Sequence, residues 1–147
     1  MVSSLKYKEA KLEKMEIFDW DLRNILMIYI LAYTYVLTGL FFFLTWRAGY
    51  SFLRYILKKE NFNLLVSIEI FFLCLNILFI GFVTGYQLFL FLLVILHFIN
   101  LVFYVSGKDS LYDFFESSIH DENIDQFEMI TPIMNIAIGI VIIFTNL

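Results

Sequence analysis

Two long apolar runs in the middle of the chain, residues 64–83 and 87–105, constrain its fold more than any other feature. Only a short connection around Thr84-Gly85 separates them. A hydrocarbon core of roughly 30 Å takes about 20 helical residues to cross, and each run is close to that length. Because no water is available there, each run must satisfy its backbone hydrogen bonds within itself, as a helix. The sequence therefore predicts an antiparallel transmembrane hairpin.

The composition of the whole chain agrees with a membrane protein. Hydrophobic residues make up 61% of its 147 residues, which excludes an ordinary soluble globular domain. The single Cys74 lies inside an apolar run, so neither an intramolecular disulfide nor a thiolate metal cage is expected. Cys74 is expected to be a small packing residue.

Two further apolar stretches flank the hairpin. The first predicted span covers residues 25–46 and ends at Trp46-Arg47, an aromatic and a cation typical of a membrane interface. The fourth predicted span covers residues 129–146, with Pro132 in its first turn, where proline is tolerated.

Residues 1–24 are polar and mixed in charge, with apolar residues at helical spacing. They are predicted to form an amphipathic segment on the membrane surface. The fold predicted is an all-α membrane protein, a four-helix transmembrane bundle over residues 25–147 with interfacial amphipathic helices. Each face of the bundle would carry five of the ten Lys and Arg residues, so the positive-inside rule favours neither orientation.

Polar residues occur in every predicted span, and we expect them to share one layer. Counted outward from the turn, Glu69 and Asn100 lie at nearly the same height on antiparallel helices. His97 lies one helical turn from Asn100 on the same face, and Asn76 follows Glu69 by seven residues. With one residue each from the first and fourth spans, the predicted polar layer is Thr38, Glu69, Asn76, His97, Asn100 and Asn135.

A carboxylate in hydrocarbon costs several kcal/mol unless it is neutralised, hydrogen-bonded or hydrated, and His97 is the expected partner of Glu69. Two interpretations stay open. In one, the layer holds the helices in register through bonds worth about 0.6 kcal/mol each. In the other, it lines a water-filled vestibule where Glu69 and His97 exchange protons or meet a cation.

The two long loops carry weaker candidates. Residues 47–62 are basic and amphipathic, and the sequence allows either an ordinary interfacial connector or a site for an anionic lipid head group. That head-group site would consist of Arg47, Arg54, Lys58 and Lys59.

Residues 106–128 form an acidic hydrophilic stretch. Within it, Asp113, Glu116 and His120 could share a helix face and bind a divalent ion, although a solvated acidic face is the favoured interpretation. No dedicated metal-binding loop is present, so no metal and no cofactor are predicted.

Catalytic signatures such as H-E-x-x-H and G-x-S-x-G are absent from the sequence, so an enzyme is not expected. Basic residues at the N-terminus alternate with acids, which argues against nucleic-acid binding. Glycine is scarce inside the spans, at Gly39, Gly81 and Gly139, so we expect helix contacts through large side chains.

The sequence thus predicts a multi-pass integral membrane protein that acts as a non-catalytic structural or regulatory subunit of a membrane assembly. Its partners would be the lipid bilayer and either copies of itself or larger membrane chains. The alternative is a homo-oligomeric ion or proton channel built on the polar layer. The sequence does not indicate which membrane the protein occupies.

Overall fold

The computed structural model describes residues 2–82, 87–110, 112–113 and 122–145. The regular secondary structure in these residues is entirely helical, as predicted. The elements are α1 (Val2–Arg47), α2 (Phe52–Ile56), a 3₁₀ turn (Lys59–Asn61), α3 (Phe62–Ile80), α4 (Gln87–Ser106) and α5 (Glu122–Thr145).

Four stretches of these helices are long and apolar enough to cross a membrane, and they correspond to the four predicted spans. The second spanning helix, α3, ends earlier than the predicted span, at Ile80, with Gly81 as its C-cap. The predicted turn at Thr84-Gly85 lies outside the described residues. The four stretches are Leu22–Arg47, Lys59–Ile80, Gln87–Ser106 and Glu128–Thr145.

The first helix is much longer than a single span. α1 contains 46 residues, which corresponds to about 69 Å at a rise of about 1.5 Å per residue. Residues 2–24 are helical, but no break in α1 separates them from the first span. The position of this segment on a membrane surface stays a prediction.

The fourth span begins differently from the prediction. α5 begins at Glu122, so Pro132 lies inside the helix and not in its first turn. Our placement of Pro132 was wrong because the helix extends back through acidic residues that the sequence pattern assigned to a loop. Since proline has no backbone N–H, the carbonyl of Glu128, four residues earlier, receives no helical hydrogen bond from Pro132.

The antiparallel helices α1 and α5 approach each other closely at two glycines. A Cβ atom on Gly39 would lie 2.7 Å from the carbonyl oxygen of Pro132, and one on Gly139 would lie 2.6 Å from that of Ala32. The expectation that helix contacts use large side chains is therefore wrong for this pair. Small residues let the two backbones approach, as is common between membrane helices.

Helices α3 and α4 form the second closely packed pair, and the two pairs meet along α1 and α3. A smaller cluster of Phe42, Ile56 and Leu65 holds α2 against α1 and α3. The main core draws on all four long helices and contains Ile28, Leu31, Ala32, Tyr35, Phe72, Phe79, Leu90, Leu93 and Ile142.

We expect Gly139→Ala to destabilise the bundle, because the added methyl group would collide with the α1 backbone. Overpacking of this kind costs about 1–3 kcal/mol. Gly81→Ala is the matched control, since a Cβ at Gly81 would meet nothing within 4 Å. Thermal unfolding in detergent should show a lower midpoint for Gly139→Ala only. Equal midpoints for the two variants would contradict the close α1–α5 contact.

Candidate functional site

Polar side chains from three helices form one connected set of hydrogen bonds, which we call the polar network. Its members are Tyr35 of α1, Glu69 and Asn76 of α3, and His97 and Asn100 of α4. Four of these five residues belong to the layer predicted from the sequence.

The carboxylate of Glu69 lies at one end of the network. Its Oε2 lies 2.7 Å from His97 Nδ1, and its Oε1 accepts a bond of 3.3 Å from Asn100 Nδ2. Both partners come from α4, so the carboxylate connects α3 to α4. The expected pairing of Glu69 with His97 is therefore present.

The network continues from His97 to the first helix. His97 Nε2 lies 3.1 Å from the hydroxyl of Tyr35, which also accepts a bond of 2.6 Å from Asn76 Nδ2. Asn76 Nδ2 donates in addition to the carbonyl oxygen of Phe72 at 2.7 Å. Tyr35 thus connects α1 to both α3 and α4.

With one tautomer of His97, all the hydrogen bonds from Asn76 to Glu69 point in the same direction along the network. If His97 is neutral and carries its proton on Nδ1, it donates to Glu69 and accepts the Tyr35 hydroxyl proton on Nε2. Tyr35 in turn accepts from Asn76, so the chain of donors points from Asn76 toward the carboxylate. Bonds aligned in this way polarise one another, which strengthens each of them.

Aromatic packing shields the centre of the network. The ring of Phe72 is stacked on the His97 imidazole at a centroid distance of 5.5 Å and an angle of 11°, and it also packs against Tyr35 at 4.9 Å. The side chains of Glu69 and His97 are each only 13% exposed. Low exposure strengthens the electrostatic part of the pair and raises the cost of breaking it.

The structure places the other two predicted members of the layer differently. Thr38 Oγ1 donates to the carbonyl oxygen of Thr34, and Asn135 Nδ2 donates to that of Thr131. Both bonds lie within the residue's own helix. In the described structure the first span contributes Tyr35 to the polar network in place of Thr38.

Tyr35 is the member of the network that we did not predict. The sequence signal that could have found it is that Ile28, Tyr35 and Phe42 are seven residues apart and so share one face of the helix. The structure buries all three. Tyr33, two residues away, is 54% exposed. Because every face of the first span is apolar, hydropathy alone does not distinguish these two tyrosines.

A second set of polar contacts joins α2 to the start of the fourth span. The Glu128 carboxylate accepts a bond of 2.7 Å from Arg54 Nε and another from the Ser51 hydroxyl. Ser51 Oγ also accepts from the backbone N–H of Arg54, which caps α2. Glu128 is only 5% exposed, so it does not belong to a solvated acidic stretch as the sequence suggested.

The four predicted head-group residues occupy different surroundings. Arg54 is paired with Glu128, whereas Lys59 Nζ lies 5.9 Å from the centre of the Tyr112 ring. Lys58 is exposed and lines a cleft beside Arg54. Arg47 is exposed at the end of α1 and does not line this cleft.

The structure adds nothing to the predicted divalent-ion cluster. Asp113 is exposed, and Glu116 and His120 lie outside the described residues. Within the part of the chain that the structure describes, no group of three or more His, Cys, Asp or Glu side chains could hold a metal ion.

We expect Tyr35→Phe to destabilise the protein, because both His97 and Asn76 would lose a hydrogen-bond partner. The loss should be about 1–2 kcal/mol, the upper part of the range for interhelical bonds in membranes. Tyr33→Phe makes the same change at an exposed position of α1 and should leave stability unchanged. The measurement is the unfolding free energy in mixed detergent micelles, and similar values for the two variants would rule out a stabilising role for the Tyr35 hydroxyl.

Comparison with protein-family models, with curated proteins and with solved structures finds no match to this chain.

Proposed function

We propose that this chain is a multi-pass integral membrane protein that acts as a non-catalytic structural or regulatory subunit of a membrane assembly. The observation that carries the proposal is the polar network, in which Glu69, His97 and Tyr35 connect three helices. A polar group among apolar helices stabilises a fold only when its partners are in place. The network therefore selects which faces of α1, α3 and α4 meet.

The outward faces of the helices support placement in a bilayer. Leu88 and Phe144 are each 73% exposed, and Leu37 and Leu44 are each 62% exposed. In water, contiguous apolar surface of this kind would drive association. In a membrane the same side chains face lipid, which agrees with four helices of spanning length.

The exposed surface of α4 supports contact with other chains. Leu90 and Leu93 are the buried residues of this 20-residue helix, and most of its other side chains point outward. A subunit that contributes packing surface needs such a face, for a second copy or a larger membrane chain. The close α1–α5 contact would keep the other half of the bundle fixed during assembly.

The surroundings of His97 argue against catalysis. Its two described hydrogen-bond partners are Glu69 and Tyr35, so no serine or cysteine nucleophile is positioned by it. Cys74 is an exposed residue of α3. Nucleophilic catalysis requires a nucleophile within hydrogen-bond reach of its base.

The channel alternative receives less support than the structural role. Asn76, the last member of the network, is 0% exposed, and its Oδ1 atom accepts no bond from any described residue. The described hydrogen-bonded path therefore stops inside the core. A proton pathway would need to continue from that point to the opposite face of the bundle.

The test of this proposal is mild-detergent extraction from the native membrane followed by measurement of the native mass. We expect a carbonate-resistant membrane protein that copurifies with other chains or forms a defined homo-oligomer. A protein released by carbonate, or one present only as a monomer, would contradict the proposal.

Flux measurements on the same preparation separate the structural role from the channel. Proteoliposomes of the wild-type protein should conduct neither protons nor K⁺ above empty vesicles. Flux that Glu69→Gln abolishes and Glu60→Gln leaves intact would replace the structural role with a conducting one. Glu60 is the matched control because it is exposed and lies in the 3₁₀ turn before α3.

A further inference from the structure

An open cleft of about 450 Å³ lies between the end of α1, one face of α2 and the start of the fourth span. This volume falls within the range of about 300–1,000 Å³ typical of small-ligand sites. The cleft is lined by Trp46, Gly49, Tyr50, Ser51, Arg54, Tyr55, Lys58 and Glu128.

The described residues on the accessible side of the cleft are basic. Among the described residues, its lining includes two cationic side chains, Arg54 and Lys58, and one carboxylate, Glu128. The Glu128 side chain is only 4% exposed, whereas that of Arg54 is 36% exposed and Lys58 is an exposed residue. A ligand entering from outside therefore meets the cations before the carboxylate.

The buried contacts of Glu128 hold Arg54 in a fixed position. Glu128 Oε1 lies 2.7 Å from Arg54 Nε and also accepts the Ser51 hydroxyl proton. A guanidinium carries five N–H donors in a rigid plane and keeps its charge when it is paired, so it can contact several acceptors at once. Lys58, which lies just beyond the end of α2, adds a flexible ammonium group.

The turn before α2 shapes the cleft. Gly49 has a φ of 83°, in the left-handed region that favours glycine. This turn leads the chain from the end of α1 into α2, and Ser51, Arg54 and Lys58 all line the cleft. The site thus depends on backbone geometry as well as on charge.

The position of the cleft along the spans points to a lipid head group. Trp46 is the penultimate residue of the first apolar stretch, and Glu128 is the first residue of the fourth. Trp and Tyr are enriched at the depth of lipid head groups, and Trp46, Tyr50 and Tyr55 all line the cleft.

We propose that this cleft binds the phosphate of an anionic phospholipid, with Lys58 and Arg54 as its ligands. Basic pockets between transmembrane helices recognise lipid head groups in this way. The inference rests on the proposed insertion in a membrane. Of the four residues of the head-group site predicted from the sequence, the proposal keeps two. Lys59 is excluded because it faces Tyr112, and Arg47 because it does not line the cleft.

The test uses the full-length protein in detergent and compares three additions: phosphatidylglycerol, phosphatidylcholine with the same acyl chains, and inorganic phosphate. Native mass spectrometry counts retained lipids, and a lipid titration of thermal stability gives the apparent affinity. Phosphatidylglycerol should bind selectively. Lys58→Gln should weaken it about tenfold, the effect of losing one charge-assisted hydrogen bond.

Lys59→Gln is the matched control, since it removes the same charge from the adjacent residue outside the cleft. It should leave phosphatidylglycerol affinity unchanged. Arg54→Lys provides a second variant that keeps a cation beside Glu128 while losing the guanidinium plane, and it should also bind phosphatidylglycerol more weakly.

Three results would overturn the lipid site. These are equal binding of phosphatidylglycerol and phosphatidylcholine, equal effects of Lys58→Gln and Lys59→Gln, and Lys58-dependent stabilisation by inorganic phosphate alone. The last would assign the cleft to a free phosphate ligand. A carbonate-resistant protein without lipid selectivity would overturn the lipid site while leaving membrane insertion intact.

Discussion

The Glu69 carboxylate imposes a physical requirement on the helices around it, because an ionisable group among apolar helices needs nearby donors. His97 and Asn100 supply them from α4, and Tyr35 extends the network to α1. The stacked ring of Phe72 limits access to the imidazole. Three helices with apolar surfaces on all sides could pack in many rotations, and these bonds favour one of them.

The fourth span is held by different forces. Gly39 and Gly139 allow α1 and α5 to approach until a single added methyl group would collide with backbone atoms. At the start of the fourth span, Glu128 connects α5 to α2 through Arg54. Interhelical hydrogen bonds thus connect α1, α3 and α4, while close backbone contact and an ion pair connect α5 to α1 and α2.

The four apolar stretches and the Glu69–His97 pair could be predicted from the sequence. Length and hydropathy determine the spans, and a short hairpin connection fixes which residues on its two helices share a depth. Hydropathy alone does not give the rotation of the first span about its axis, because that span is apolar on every face, and for this reason Tyr35 was missed. Glu128 was assigned to an acidic loop by its neighbours in sequence, whereas in the structure it is buried and paired with Arg54, 74 residues away.

The most direct test of the account is a double-mutant cycle between Glu69 and His97, measured as unfolding free energy in mixed micelles. Glu69→Ala and His97→Ala each remove one half of the pair, and the double variant removes both. The account predicts a coupling energy of about 0.6–1.7 kcal/mol, with the double variant less destabilised than the sum of the two single variants. Additive effects would show that the pair does not hold the helices together and would contradict the central claim.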